Sequence, residues 1–180
     1  MSELKIYADT NPQQAEMYTD YATISALLQA EGVRFERWEA NAPLADAATQ
    51  EEVIAAYRTD IERLMAENGF QSVDVISLTP DHPDKVALRQ KFLNEHTHTE
   101  YEVRFFVDGQ GLFYLHLGDK VYTVLCEKGD LISVPAGATH WFDMGANPRF
   151  KAIRLFTNAE GWVANFTGSE IAAQFPRLEN

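Results

Sequence analysis

Two periodicities divide the chain. Through the first half, apolar positions recur at three- and four-residue intervals; through the second, they alternate or run short between Gly and Asp turns. Leu4 and Ile6 predict a short opening strand, closed by Asp9-Thr10-Asn11-Pro12. A helix is expected over about 20–31, with Ile24, Leu27 and Leu28 on one face and Gly32 as its left-handed stop. Val33 to Trp38 alternates like a half-buried strand. The most regular helical pattern covers about 50–68: Thr49 and Glu52 stand at capping-box spacing, Val53, Ile54, Tyr57, Ile61, Leu64 and Met65 repeat, and Asn68-Gly69 ends it. Val73 to Leu78 reads as a strand, and Pro83 fits the start of a short helix carrying Val86, Phe92 and Leu93.

From His96 onward, strand-like runs stand at about 98–107, 111–117, 121–126, 131–134, 140–144 and 150–156. Asp108-Gly109-Gln110-Gly111, Gly118-Asp119-Lys120, Glu127-Lys128-Gly129-Asp130 and Pro135-Ala136-Gly137 separate them as turns, and a short helix is expected near Ser169 to Gln174. Short strands at this spacing argue for an antiparallel sandwich or barrel. No repeat, charge block or linker interrupts the 180 residues, so one domain is expected: an α-containing flank over about 1–93, a barrel core over about 94–162 and a tail over about 163–180.

Charge narrows the function. Fifteen Lys and Arg against 27 Asp and Glu give a formal charge of −12, which repels phosphate backbones and anionic lipid surfaces; neither nucleic acid nor membrane is an expected partner. The same charge favours a monomer. Cys126 is the only cysteine, so no intrachain disulfide and no cysteine-based zinc or iron–sulfur site can form; it reads as a small buried strand residue. The opening segment lacks the apolar core of a signal peptide and no uncharged apolar run reaches membrane-span length, so a cytoplasmic location is expected.

The chemistry concentrates in the histidines. His96 and His98 are two apart, so on a strand both side chains project to one face. Glu100 and Glu102 follow with the same parity, and alternation does not choose between them. A third histidine, His140, follows the Pro135-Ala136-Gly137 turn, which can reverse the chain and set it opposite the pair. Imidazole nitrogens with a carboxylate oxygen suit a borderline divalent transition ion. Arg104 shares the parity of Glu102, and a buried Arg calls for an anionic substrate or a carboxylate as partner. His82, within Pro80-Asp81-His82-Pro83-Asp84, reads as a solvated loop residue. His116, between Leu115 and Leu117, is expected to face away from them on a half-exposed strand.

These blocks resemble the two cupin motifs: His96, His98, Glu102 and Gly109 stand at the spacing of the first, and Gly129, Pro135, Gly137 and His140 at that of the second. Gln90 replaces the Gly that usually opens the first, and Met144 the Asn that usually closes the second. A closer resemblance runs from about residue 90 to Trp162. Asn94 to His98, Glu102-Val103-Arg104, Asp108 to Gly111, Glu127 to Leu131, Pro135 to Gly137, His140 and Lys151-Ala152-Ile153-Arg154-Leu155-Phe156 are together similar to the acireductone dioxygenase family of methionine salvage.

That resemblance implies a mainly β fold, a double-stranded β-helix barrel with N-terminal helices packed outside. It selects Glu102 over Glu100 and implies one Fe2+ or Ni2+ held by His96, His98, Glu102 and His140, with no organic cofactor. Four protein ligands on an octahedral ion leave two positions for a chelating substrate. The implied substrates are acireductone, an enediol ketone with a methylthio tail, and O2. The iron form is expected to yield formate and the keto-acid precursor of methionine, the nickel form formate, carbon monoxide and methylthiopropionate. Arg104 and Arg154 are candidate catalytic residues, and Phe92 and Phe142 candidates for lining the tail pocket. The alternative readings of the same two blocks are another metal cupin enzyme, a sugar-phosphate isomerase or another oxygenase, and a non-catalytic ligand-binding cupin.

Overall fold

A computed structural model describes residues 1–158 and 163–180. Strands are β1 (Glu3–Ala8), β2 (Ala15–Tyr18), β3 (Arg34–Arg37), β4 (Ser72–Leu78), β5 (His96–Thr97), β6 (Glu102–Leu117), β7 (Lys120–Glu127), β8 (Asp130–Val134), β9 (Thr139–Asp143), β10 (Phe150–Phe156) and β11 (Asn165–Phe166). Helices are α1 (Tyr21–Ala30), α2 (Gln50–Ala56), α3 (Arg58–Asn68) and α4 (Lys85–Leu93), with a 3-10 turn at Ile171–Gln174. Among the described residues all pairings are antiparallel. One sheet runs β11-β5-β9-β6-β7-β1-β2, and the other runs β4-β10-β6-β8-β3. Both contain β6, which pairs with β8 and β10 through its first half and with β7 and β9 through its second. This is the mainly β barrel, with outside helices, that the pattern predicted.

The length of β6 is the main departure from expectation. Asp108 to Gly111 does not reverse the chain; it makes a bulge inside one continuous strand. Along β10, Ala152 stands opposite Phe106 but Lys151 opposite Asp108, so Val107 is the extra residue. Gly109 sits there at φ +67, and a Cβ on it would lie 1.8 Å from the Arg149 carbonyl oxygen, so only glycine fits. The extra residue switches parity. Phe106 before the bulge and Phe113 and Leu115 after it enter the same interior cluster, while Val103, Phe105 and Val107 face outward into the helices.

The expected helix over 50–68 is two helices broken at Tyr57 (φ −116, ψ 23). Tyr57 is buried, meets Phe105 edge-on at 5.6 Å, and its hydroxyl accepts the Ala42 N–H at 3.2 Å. Those contacts outweigh helix continuity. Thr49 caps α2 by accepting from Glu52 N, and Gly69 ends α3 in the left-handed conformation, as the pattern predicted. Val53, Tyr57, Ile61 and Leu64 then cover Val103, Phe105, Ile153 and Leu155 of the sheet.

Three further corrections concern short elements. Residues 98–101 form no strand; β5 ends at Thr97. β2 and β11, both largely exposed, were not predicted, because backbone pairing with β1 and β5 rather than apolar alternation creates them. The expected C-terminal helix is a single 3-10 turn. Within the flank over about 1–93, β1, β3 and β4 pair directly with β7, β8 and β10. No helix among the described residues is long and apolar enough to cross a membrane. Trp162, part of the family resemblance, lies outside the described residues.

Candidate metal centre

Four side chains from three elements and a turn converge at one end of the barrel. His96 lies on β5 and stands directly opposite His140 on β9. Glu102 opens β6. His98 sits in the turn between β5 and β6, so strand alternation does not place it beside His96 as expected; the turn does, held by Gly137 N donating to His98 O at 2.8 Å. One nitrogen or oxygen from each of His96, His98, Glu102 and His140 falls within 4.8 Å of all the others, and all four residues are buried. The ring centroids of His96 lie 4.8 Å from those of His98 and 4.4 Å from those of His140.

Each imidazole is oriented from behind by a main-chain oxygen. Nδ1 of His96 lies 2.8 Å from Asn94 O, Nδ1 of His98 2.9 Å from Val163 O, and Nδ1 of His140 2.8 Å from Ala138 O. A carbonyl only accepts, so Nδ1 carries the proton of the neutral ring and Nε2 presents a lone pair to the centre. Burial, then the neighbouring His140, pushes His96 down to about 4 from its ordinary 6.5, favouring the neutral form that a metal ligand must have. Glu102 Oε2 lies 2.7 Å from His140 Nε2 and 3.1 Å from His98 Nε2. An anionic oxygen aimed at two nitrogen lone pairs is repulsive without a shared cation, so this donor set fits a divalent ion.

Arg104 supplies the second charge. Its Nε lies 2.8 Å from Glu102 Oε1, with both side chains buried. Burial by itself would raise the Glu102 carboxyl; the Arg104 guanidinium, together with the His140 and His98 rings, outweighs it and holds the carboxyl well below its ordinary range. The guanidinium carbon is 4.8 Å from the ring centre of Phe142, 5.1 Å from Phe113 and 5.8 Å from Phe92, an aromatic enclosure suited to a desolvated cation. Arg154 stands opposite Arg104 on β10 and Asp74 opposite Arg154 on β4, a row across three strands. Arg154 Nε donates to Asp74 Oδ1 at 2.7 Å, and its Nη2 bonds to Oδ2. Phe92, half-buried on α4, meets the fully buried Phe142 edge-on at 6.0 Å.

The remaining candidates fall outside the centre. Glu100 accepts a hydrogen bond from Asn158 Nδ2 at 3.0 Å. His116 bridges Asp9 and Glu95 at 3.1 and 3.2 Å. His82 Nδ1 accepts Asp84 N in its loop, and Cys126 is buried in the core. Met144 is buried in the interior cluster and Gln90 is exposed on α4. Sequence reasoning missed the C-terminal contribution. Phe166 packs on His96 at 5.9 Å, and the Thr167 hydroxyl donates to Glu95, holding β11 against the ligand strand. A backbone carbonyl such as that of Val163 leaves no signal in residue type; Phe113 was legible only as one more alternating apolar residue.

A model of the ARD/ARD' family matches residues 3–164. The chain belongs to that family. Relatives in it are close: the acireductone dioxygenase of Alcanivorax borkumensis is 61% identical over 178 residues, covering 98% of both chains. That of Stenotrophomonas maltophilia is also 61% identical, covering 98% of this chain and 96% of its own. The solved structure of acireductone dioxygenase from Bacillus anthracis with a cadmium ion in its active centre is 34% identical. It superposes with a TM-score of 0.80 over 92% of this chain and 98% of that one.

Proposed function

We propose that this protein is a metal-dependent dioxygenase that cleaves acireductone with O2 in methionine salvage, working in the cytoplasm as a monomer and as one domain over residues 1–180. The observation that carries the reading is the convergence of three buried imidazoles and one buried carboxylate beside a buried arginine in an aromatic enclosure, in a member of this family. His96, His98, Glu102 and His140 are the residues to hold one Fe2+ or Ni2+, without an organic cofactor. When bound, that ion supplies Lewis acidity and a template for two adjacent substrate oxygens.

The chain's own side chains do the rest. The Arg104 cation, with the His140 and His98 rings, favours the ionised form of Glu102, and it offsets the negative charge of an enediolate brought beside it, a compensation worth most where water is excluded. Arg154, held by Asp74, fixes a second guanidinium next to Arg104 and keeps the approach favourable to an anion. The half-buried Phe92 offers apolar surface to the methylthio tail, and the buried Phe142 backs it edge-on from the core. The iron form is expected to give formate and the methionine keto-acid precursor, the nickel form formate, carbon monoxide and methylthiopropionate.

The test is elemental analysis of protein purified without added metal, then product analysis after separate reconstitution with iron and nickel. Oxygen uptake with acireductone, and product sets that differ between the two metals, are the expected results. Stoichiometric metal without oxygen uptake would exclude the activity and leave a metal-holding binding protein.

A further inference from the structure

Gly111 lies on β6 after the bulge, and its backbone is not in the left-handed region, so its conformation does not call for glycine. Glycine in a strand interior weakens the strand and marks a place where something approaches closely. What approaches is a side chain. A Cβ on Gly111 would lie 2.3 Å from Cζ and 2.5 Å from Cε2 of Phe142. Phe142 shares a face of β9 with His140, two residues earlier, and stands opposite Phe113. Phe113 at 4.9 Å, Phe150 at 5.6 Å and Phe106 at 6.4 Å, all fully buried, surround its ring. Arg104 at 4.8 Å and the half-buried Phe92 at 6.0 Å lie toward the metal centre. A ring displaced from Gly111 therefore presses toward Arg104 and Phe92, and Arg104 in turn pairs with Glu102 of the centre.

We propose that Gly111 is a specificity-determining positioning residue. By leaving its Cβ space to the Phe142 ring, it sets the depth of the aromatic floor beneath Arg104 and with it the length of apolar tail the site admits. This rests on the reading of the protein as an enzyme for an enediol ketone with such a tail. One methylene in an apolar pocket changes kcat/KM by roughly tenfold or more, so the effect is readable as a ratio between tails.

The experiment compares acireductone with homologues one methylene shorter and one longer in the tail, using metal-replete protein. In Gly111→Ala, kcat/KM for the native tail relative to the shorter one is expected to fall about tenfold, with metal content unchanged. Adding Phe142→Leu to the same chain restores the ratio, because the smaller side chain vacates the space the new methyl needs. A ratio is insensitive to the fraction of folded enzyme, so general damage does not mimic this result. An unchanged ratio in Gly111→Ala, or a fall that Phe142→Leu fails to reverse, overturns the proposal. If Gly111→Ala alone is insoluble, Phe142→Leu and the double variant decide. The single change is expected to shift preference toward the longer tail and the added Ala to shift it back, and a profile indifferent to the Ala overturns the assignment. Wild-type protein inert toward all three tails instead overturns the acireductone reading itself, and this proposal with it.

Discussion

Glu102 and Arg104, two residues apart on the same face of β6, form a 2.8 Å ion pair with both side chains buried beside the imidazole cluster. The pair joins two tasks: the carboxylate is offered to a metal, and the guanidinium sets a fixed positive charge beside it. Removing one member of a buried pair strands the other's charge, at about 3–5 kcal/mol.

The two partners are therefore not equivalent under mutation. Glu102→Gln removes an anionic donor and leaves Arg104 uncompensated, so bound metal and thermal stability are expected to fall together. Arg104→Leu leaves all four donors in place. It is expected to retain close to one metal per chain while kcat/KM drops about a hundredfold, the scale of losing one preorganised charge. Elemental analysis beside steady-state kinetics on both variants separates the outcomes; equal metal loss in the two would refute the division.

Acid should weaken the metal-free protein over a defined window. His96 takes up its proton near 6.5 in the unfolded chain but only near 4 when folded. Between those values the unfolded state binds more protons, so stability falls as pH falls from 6.5 toward 4, by up to about 3 kcal/mol. Urea unfolding of metal-free protein across this range checks the slope, and His96→Gln is expected to flatten it.

Chelation should destabilise without unfolding. The three interior clusters do not depend on the ion, so the fold is expected to survive metal removal. A ligand that binds only the folded state at a hundred times its Kd adds about 2.7 kcal/mol. Calorimetry before and after chelation should show a lower Tm that restored metal reverses, with the far-ultraviolet circular dichroism unchanged.

Two glycines with the same backbone sign test the bulge. Gly109 and Gly69 have φ +67 and +68, but an added Cβ meets the Arg149 carbonyl oxygen at 1.8 Å in the first and nothing within 4 Å in the second. Gly69→Ala should cost only the left-handed penalty of about 1–2 kcal/mol. Gly109→Ala must also move β6 away from the Arg149 backbone, so it should cost clearly more and disturb the centre, because the bulge sets which residues of β6 face inward. Paired urea titrations measure the difference.

Local pattern carried much of this protein. The 3.6-residue repeat of Val53, Ile61 and Leu64, the Thr49 cap and the Gly69 stop are interactions between near neighbours, written in residue type. The four metal donors were legible because imidazoles and a carboxylate at strand and turn spacing have few other uses, though choosing Glu102 over Glu100 needed the family resemblance. Tertiary structure decided what depends on contacts far apart in the chain. The Arg149 backbone makes Asp108 to Gly111 a bulge rather than a turn, and Phe105 and Ala42 break the helix at Tyr57. Val163 orients His98 through a carbonyl that every residue type possesses. Side-chain chemistry is local to a residue and can be read from its letter; backbone groups and excluded volume act only once distant segments meet.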